Sequence, residues 1–207
     1  MVIYIIVVIL AYCIGSINFS VILSRKMAGF DVREKGSKNA GTTNMLRTVG
    51  KKAALITLIC DILKGIVAVL LALVIGKIGK SFNIEILKYI AGLAVILGHT
   101  FPIFFEFRGG KGIATALGVL LILQWQVGLI CLVFALILMA LTKMVSVGSI
   151  SAAILFPILV LFMEPDKNIW IIIISILITA LVIFNHRTNL KRIKDGNENK
   201  LSFKNTK

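Results

Sequence analysis

Seven apolar runs divide this chain, and they constrain its fold more than any other feature. They lie at about 2–23, 53–75, 86–105, 113–123, 127–142, 145–163 and 169–184. A helix needs about 20 apolar residues to cross the hydrocarbon of a bilayer, and the longer runs meet that length. Inside lipid the backbone must satisfy its own hydrogen bonds, so such runs read as helices. Of the 207 residues, 58% are hydrophobic, and mean hydropathy is +1.00. The expected fold class is all-α: a polytopic membrane helical bundle forming a single domain over 1–207, without internal repeats.

The fourth run has eleven residues, which at 1.5 Å per residue span roughly half a bilayer. Charge sets the expected topology. Met1 to Leu23 lacks the basic start of a signal peptide and is followed by Arg25 and Lys26, so it reads as a retained first span with its N-terminus outside. Seven crossings then place 24–52, 106–112, Lys143 and the tail from 185 inside. These segments hold eight, two, one and seven cations, eighteen of the 23 Lys and Arg. Six crossings would put the basic tail outside, against the positive-inside rule. Residues 113–142 are therefore expected to form either a short helical hairpin or a re-entrant element. The end from Lys200 to Lys207 is expected to fray.

The cations outnumber the nine acids, a balance that in a soluble chain would suggest nucleic acid. Here they border apolar runs, so membrane lipids and orientation account for them and no nucleic-acid partner is expected. Cys13, Cys60 and Cys131 sit apart inside apolar runs and form neither a disulfide framework nor a metal set. His99 and His186 have no paired carboxylates of the kind a metal site needs, so no metal and no cofactor are expected.

Three polar segments interrupt the apolar pattern, and the topology brings all three to the cytoplasmic face. The first, Gly36 to Arg47, offers Ser37, Asn39, Thr43, Asn44 and Arg47, with Thr42 or Thr43 placed to cap the second membrane helix. It reads equally as an ordinary capped loop and as a phosphate cradle. The second, Arg108-Gly109-Gly110-Lys111-Gly112, opens the short fourth run. Glycines there suit close approach of backbone N–H groups to an anion, with Lys111 as counter-charge; the bland alternative is a flexible linker. It is not a Walker A loop, and Gly79-Lys80-Ser81 lacks the first glycine of one. The third, His186 to Asn189, ends the last run. His186 can act as a base near neutral pH, and Asn189 can orient a hydroxyl or phosphate. Asp61 and Lys64, at i and i+3 inside the second run, read as an internal ion pair.

Together these residues resemble the bacterial acyl-phosphate:glycerol-3-phosphate acyltransferase family, PlsY. The likeness runs from Ala11 to about Lys200. It is carried by Asp31 through Arg47, Asp61-Ile62-Leu63-Lys64-Gly65, Gly98 through Gly112, and His186 through Glu198. Asn18, Lys38 and Ala40 depart from the family pattern, Lys38 standing where it often has glycine. The resemblance implies that a fatty acyl phosphate donates its acyl group to the 1-hydroxyl of glycerol 3-phosphate, giving lysophosphatidic acid and phosphate, at the cytoplasmic face of the bacterial plasma membrane. It implies that Ser37 and Arg47 hold the glycerol phosphate with His186 and Asn189. It further implies that the Gly109, Gly110, Lys111 and Gly112 loop holds the acyl phosphate, with Lys111 reaching both anions, and that Glu198 is structural. Either His186 or the acceptor's own phosphate takes the hydroxyl proton. The alternative from another class is a small transporter or flippase for a phosphorylated metabolite, which would show repeats or broken spans near the midplane.

Overall fold

The computed structural model describes residues 1–80 and 83–201. Most of the tail expected to fray, 202–207, lies outside the described residues. Among the described residues all regular structure is helical. The helices are α1 (Val2–Ser16), α2 (Phe19–Ala28), α3 (Thr42–Thr48), α4 (Lys51–Ile78), α5 (Ile84–Thr100), α6 (Ile113–Leu123), α7 (Trp125–Thr142), α8 (Val145–Met163), α9 (Ile169–Asn185) and α10 (Arg187–Lys194). Five stretches are long and apolar enough to cross a membrane: Val2–Ala28, α4, Ile84–Phe105, α7 and α8. The pair α9 and α10, bent by 59°, supplies a sixth, and α6 is a shorter apolar helix.

Burial follows a membrane logic. Between the ends of α4 the exposed side chains are Leu55, Ile59, Leu63, Val67, Leu70 and Val74, while Thr57, Asp61 and Lys64 are buried. The apolar stripe meets lipid and the polar groups meet the bundle. Where helices touch, small residues allow close approach. A Cβ on Gly15 or Gly98 would strike the carbonyl of Val95 or Tyr12, locking α1 to α5. A Cβ on Gly65 or Gly118 would do the same between α4 and α6.

The first run is not one continuous helix, as its apolarity suggests. Ile17 and Asn18 are extended, and Asn18 turns its side chain to accept from Val21 N at 3.3 Å, restarting the chain as α2. An Asn at this point favours a cap over a helix interior. The break frees carbonyls inside the bundle. Lys64 Nζ takes two of them, from Gly15 at 3.0 Å and from Ile17 at 2.8 Å. A second break is handled the same way in α8. Pro157 lacks the N–H that would bond the carbonyl of Ala153, and the Thr179 hydroxyl of α9 donates to that carbonyl at 2.8 Å.

Helices α6 and α7 form a hairpin whose corner is Gln124. The Gln124 side-chain amide donates to Glu164 at the end of α8, so the corner of the short hairpin lies beside the far end of α8. Consequently the loop before α4, the loop before α6, the start of α8 and the end of α9 share one face.

Candidate active site

A cavity of about 360 Å³ opens on that face. Its polar wall draws on all three segments singled out in the sequence. The first gives Ser37, Asn39, Thr43, Asn44 and Arg47, the second Lys111 and Gly112, and the third His186 and Asn189. Arg192, Glu198 and Ser146 complete it, and Leu58, Ile62, Leu117, Leu132 and Leu136 form an apolar flank.

The first segment is built around Asn44. Its Oδ1 accepts from Ser37 N at 2.9 Å, and its Nδ2 donates to the carbonyls of Val32, Lys35 and Asn39 at 2.9 to 3.0 Å. Asn44 is buried, and its side chain bonds four backbone groups. These bonds shape the loop that carries Ser37 and Asn39. The capping expectation changes. Thr42 and Thr43 begin the separate helix α3 rather than the second membrane helix, and the cap residue is Gly41, with no side-chain cap bond. Arg47 is exposed at the last turn of α3 and makes no ion pair among the described residues. Lys38 has φ +58, a left-handed conformation that glycine adopts freely; it is exposed and stands outside the cavity wall.

Arg33 fastens this segment to the next. Asp31 holds the Arg33 guanidinium from both oxygens, and Arg33 Nη1 donates to the carbonyl of Phe105 at 2.8 Å. Both side chains are buried. Burial pushes the Asp31 carboxyl up, but bonds from Arg33 and Arg25 outweigh it and hold it at about 2.

The glycine loop differs from expectation in which groups it frees. Gly109 N donates to Thr100 O at 3.0 Å and Gly110 N to His99 O at 3.1 Å. Neither glycine lines the cavity. A Cβ on Gly109 would strike the carbonyls of His99 and Thr100; one on Gly110 would strike the His99 ring and the Ala40 carbonyl. These two glycines serve packing under the site, and their role as backbone donors is corrected. The open donors lie one step on. The N–H groups of Lys111, Gly112, Ile113 and Ala114 have no backbone partner among the described residues, and Gly112, at φ +86, turns the chain into α6. All four residues line the cavity, so the start of α6 presents its unsatisfied N–H groups there.

The third segment does not continue as one helix. His186 ends α9 and precedes α10 at the bend, and His186 and Asn189 are both buried. His186 Nδ1 lies 2.8 Å from Val182 O. A carbonyl only accepts, so Nδ1 carries the proton and Nε2 keeps the lone pair. Burial, with the Lys111 charge, lowers the His186 pKa to about 4. Asn189 accepts from Lys111 Nζ and donates to Glu198 Oε1 at 2.7 Å. Glu198 also accepts from Ser146 at 2.9 Å and pairs with Arg192 at 2.9 Å. Burial pushes the Glu198 carboxyl up, but these three donors prevail and keep it below the usual range. Leu201 N donates to Lys143 O at 2.7 Å, pinning the chain after Glu198. Burial, then the Arg192 and Arg47 charges, lower the Lys111 pKa to about 8.

Asp61 and Lys64 pair at 3.0 Å. Asp61 also reaches the cavity wall with His99, whose Nδ1 stands 3.5 Å from Asp61 Oδ1.

A pocket with three cations, free backbone donors and an apolar flank suits a phosphorylated ligand carrying an apolar part. A family model described as glycerol-3-phosphate acyltransferase matches residues 5–196. The chain belongs to the glycerol-3-phosphate acyltransferase family. A relative of this acyltransferase from Clostridioides difficile (strain 630), named glycerol-3-phosphate acyltransferase, is 41% identical over 201 residues, 97% of each chain. One from Thermoanaerobacter pseudethanolicus, with the same name, is 43% identical over 196 residues, 95% of this chain and 94% of its own. This acyltransferase also resembles the crystal structure of PlsY, an integral membrane glycerol 3-phosphate acyltransferase. The glycerol 3-phosphate form matches with a TM-score of 0.85 at 38% identity, covering 96% of both chains. The lysophosphatidic acid form gives 0.82 at 36%, over 96% of this chain and 95% of that one. The family places the chain among acyltransferases and sets the transporter alternative aside.

The sequence reading missed Arg33, Arg192 and Ser146. Asp31-Val32-Arg33 carries a short-range pairing signal, but nothing local announces that Arg33 reaches a carbonyl 72 residues away.

Proposed function

We propose that this membrane acyltransferase, which moves an acyl group onto glycerol 3-phosphate to give lysophosphatidic acid, takes that group from an acyl phosphate. It works as a single domain in the bacterial plasma membrane, with seven crossings counting the α6–α7 hairpin as two. Its N-terminus is outside, and the cavity and C-terminus face the cytoplasm. The observation that carries the reading is the cavity's pair of anion-holding sides, the Arg47 side and the start of α6, with Lys111 between them. Eighteen of the 23 Lys and Arg fall on sequence segments assigned inside, which supports the orientation.

Arg47, Ser37, Asn39 and Thr43 hold the acceptor phosphate. The N–H groups from Lys111 to Ala114 hold the donor phosphate at the start of α6. Lys111, steadied by Asn189 and through it by Glu198, neutralises both. His186 Nε2 accepts a hydrogen bond from a glycerol hydroxyl and orients it. The 1-hydroxyl oxygen attacks the acyl carbon. An ester C–O bond forms, the C–O bond to phosphate breaks, and inorganic phosphate leaves with the bonding pair. The hydroxyl proton passes to the acceptor's own phosphate. A phosphate monoester has a second pKa of about 6 and can take a proton near neutral pH, while burial lowers the basicity of His186. In this reading His186 is a catalytic orienting group.

The test supplies purified protein in lipid with glycerol 3-phosphate and either acyl phosphate or acyl-CoA. Acyl phosphate should yield lysophosphatidic acid and inorganic phosphate in equal amounts, and acyl-CoA none. Transfer from acyl-CoA at a comparable rate would overturn the donor assignment.

A further inference from the structure

Beside the start of α6 lies a buried polar stack that the acyl transfer itself leaves unused. Asp61 on α4 and His99 in the last turn of α5 both reach the cavity wall, although they are only 2% and 6% exposed. Asp61 Oδ1 stands 3.0 Å from Lys64 Nζ and 3.5 Å from His99 Nδ1. His99 Nδ1 is sealed from water and makes no hydrogen bond elsewhere among the described residues. A polar atom buried without a partner is costly, so the carboxylate it faces is what offsets its burial. A carboxylate only accepts, so Nδ1 carries the proton.

The two ends of this stack are fixed to different parts of the fold. Lys64 has three N–H bonds to give. Besides Asp61, it serves the carbonyls of Gly15 and Ile17 at the break between α1 and α2. Lys64 is therefore spent and does not line the cavity. It cancels from behind a carboxylate that would otherwise repel phosphate. At the other end His99 meets the glycine loop twice. Its carbonyl accepts from Gly110 N at 3.1 Å, and its ring is what a Cβ on Gly110 would strike. The next four residues, Lys111 to Ala114, are those whose N–H groups have no backbone partner among the described residues.

We propose that Asp61 and His99 are positioning residues for the donor phosphate: Asp61 anchors His99, and His99, through its carbonyl and its ring, sets the glycine loop from which the start of α6 presents its N–H groups. The proposal rests on the acyl-phosphate reading above. Preorganised donors act through their placement, and a misplacement of ~1 Å can cost about 10²-fold in rate. The acceptor side has supports of its own. Lys111 Nζ is held by Asn189 of α10, and Ser37 N by Asn44, so neither depends on the anchoring of His99.

The experiment measures KM for acyl phosphate and for glycerol 3-phosphate, each at saturating levels of the other, in variants of the pair. Asn and Leu are close in size, and both give up the ring against Gly110. The Asn amide nitrogen, however, is as many bonds from Cβ as Nδ1 is, and can still donate to Asp61. The difference between His99→Asn and His99→Leu therefore reads the anchoring by Asp61 and not the lost packing. KM for acyl phosphate should be higher in His99→Leu than in His99→Asn by about tenfold or more, the worth of a charged hydrogen bond, with KM for glycerol 3-phosphate unmoved in both. Asp61→Asn should give the same selective rise. Added to His99→Leu it should raise the donor KM no further, because Asp61 acts through His99. His99→Met takes the place of His99→Leu if the latter does not assemble. Equal donor KM values in the Asn and Leu variants, a rise shared by both substrates, or effects that multiply in the double variant would each overturn the proposal. If the unaltered protein turns over acyl-CoA and not acyl phosphate, the donor reading falls by itself, and the same comparison made with acyl-CoA tests the pair.

Discussion

Lys111 carries its charge conditionally. Burial and two neighbouring guanidinium groups bring its pKa down to about 8, so the free protein loses this cation as pH rises through that value. Anion binding needs the protonated form, so kcat/KM for glycerol 3-phosphate should fall above pH 8, with Lys111→Arg shifting the fall to higher pH. A profile flat to pH 10 would remove Lys111 from the acceptor site. His186 gives the opposite expectation. Its pKa of about 4 leaves it neutral across the working range, so no limb near neutrality belongs to it. An acceptor whose phosphate is methylated to a diester has no proton-accepting step near pH 6. At saturation it should react about 10²–10⁴-fold more slowly, the usual worth of a positioned base. A normal saturated rate would return the proton to His186. At this scale the residue types were legible in the sequence, because phosphate chemistry calls for few side chains. What each does was less so. Asn44 reads in sequence as a ligand group, and in the fold its amide bonds four backbone partners.

Among the elements, the short fourth run and α6 share their bounds, since Gly112 starts the helix and Gln124 turns it. Apolar length made the membrane helices readable. Breaks were hidden where a buried side chain repairs the backbone, as Lys64 does after α1. The glycine loop was misjudged because glycine signals both open donors and close packing, and only the third dimension separates them. Its mechanics give a prediction. Arg33 ties the loop before α3 to the loop before α6, and Gly110 lies against both His99 and the Ala40 carbonyl. Arg33→Met leaves the Asp31 carboxylate with only the exposed Arg25, a loss of about 3–5 kcal/mol for a broken buried pair. Arg33→Met and Gly110→Ala should each raise KM for donor and acceptor together and lower the Tm. A rise confined to the donor would mean that the two loops act independently.

For the whole molecule, orientation and convergence are one argument. If the basic face is cytoplasmic, single cysteines replacing Lys38 and Lys194 in a background without Cys13, Cys60 and Cys131 should resist an impermeant thiol reagent applied to intact cells. They should react once the membrane is opened. Labelling of either position from outside would invert the topology. The account's centre is that one cavity on that face holds both phosphates across Lys111, and the most direct measurement is a pair of KM values. Lys111→Met, folded as judged by an unchanged Tm, should raise KM for acyl phosphate and for glycerol 3-phosphate alike, each by about tenfold or more, the worth of a charged hydrogen bond. A rise for one substrate with the other unmoved would contradict it, and would separate the two anion sites that the cavity is argued to join.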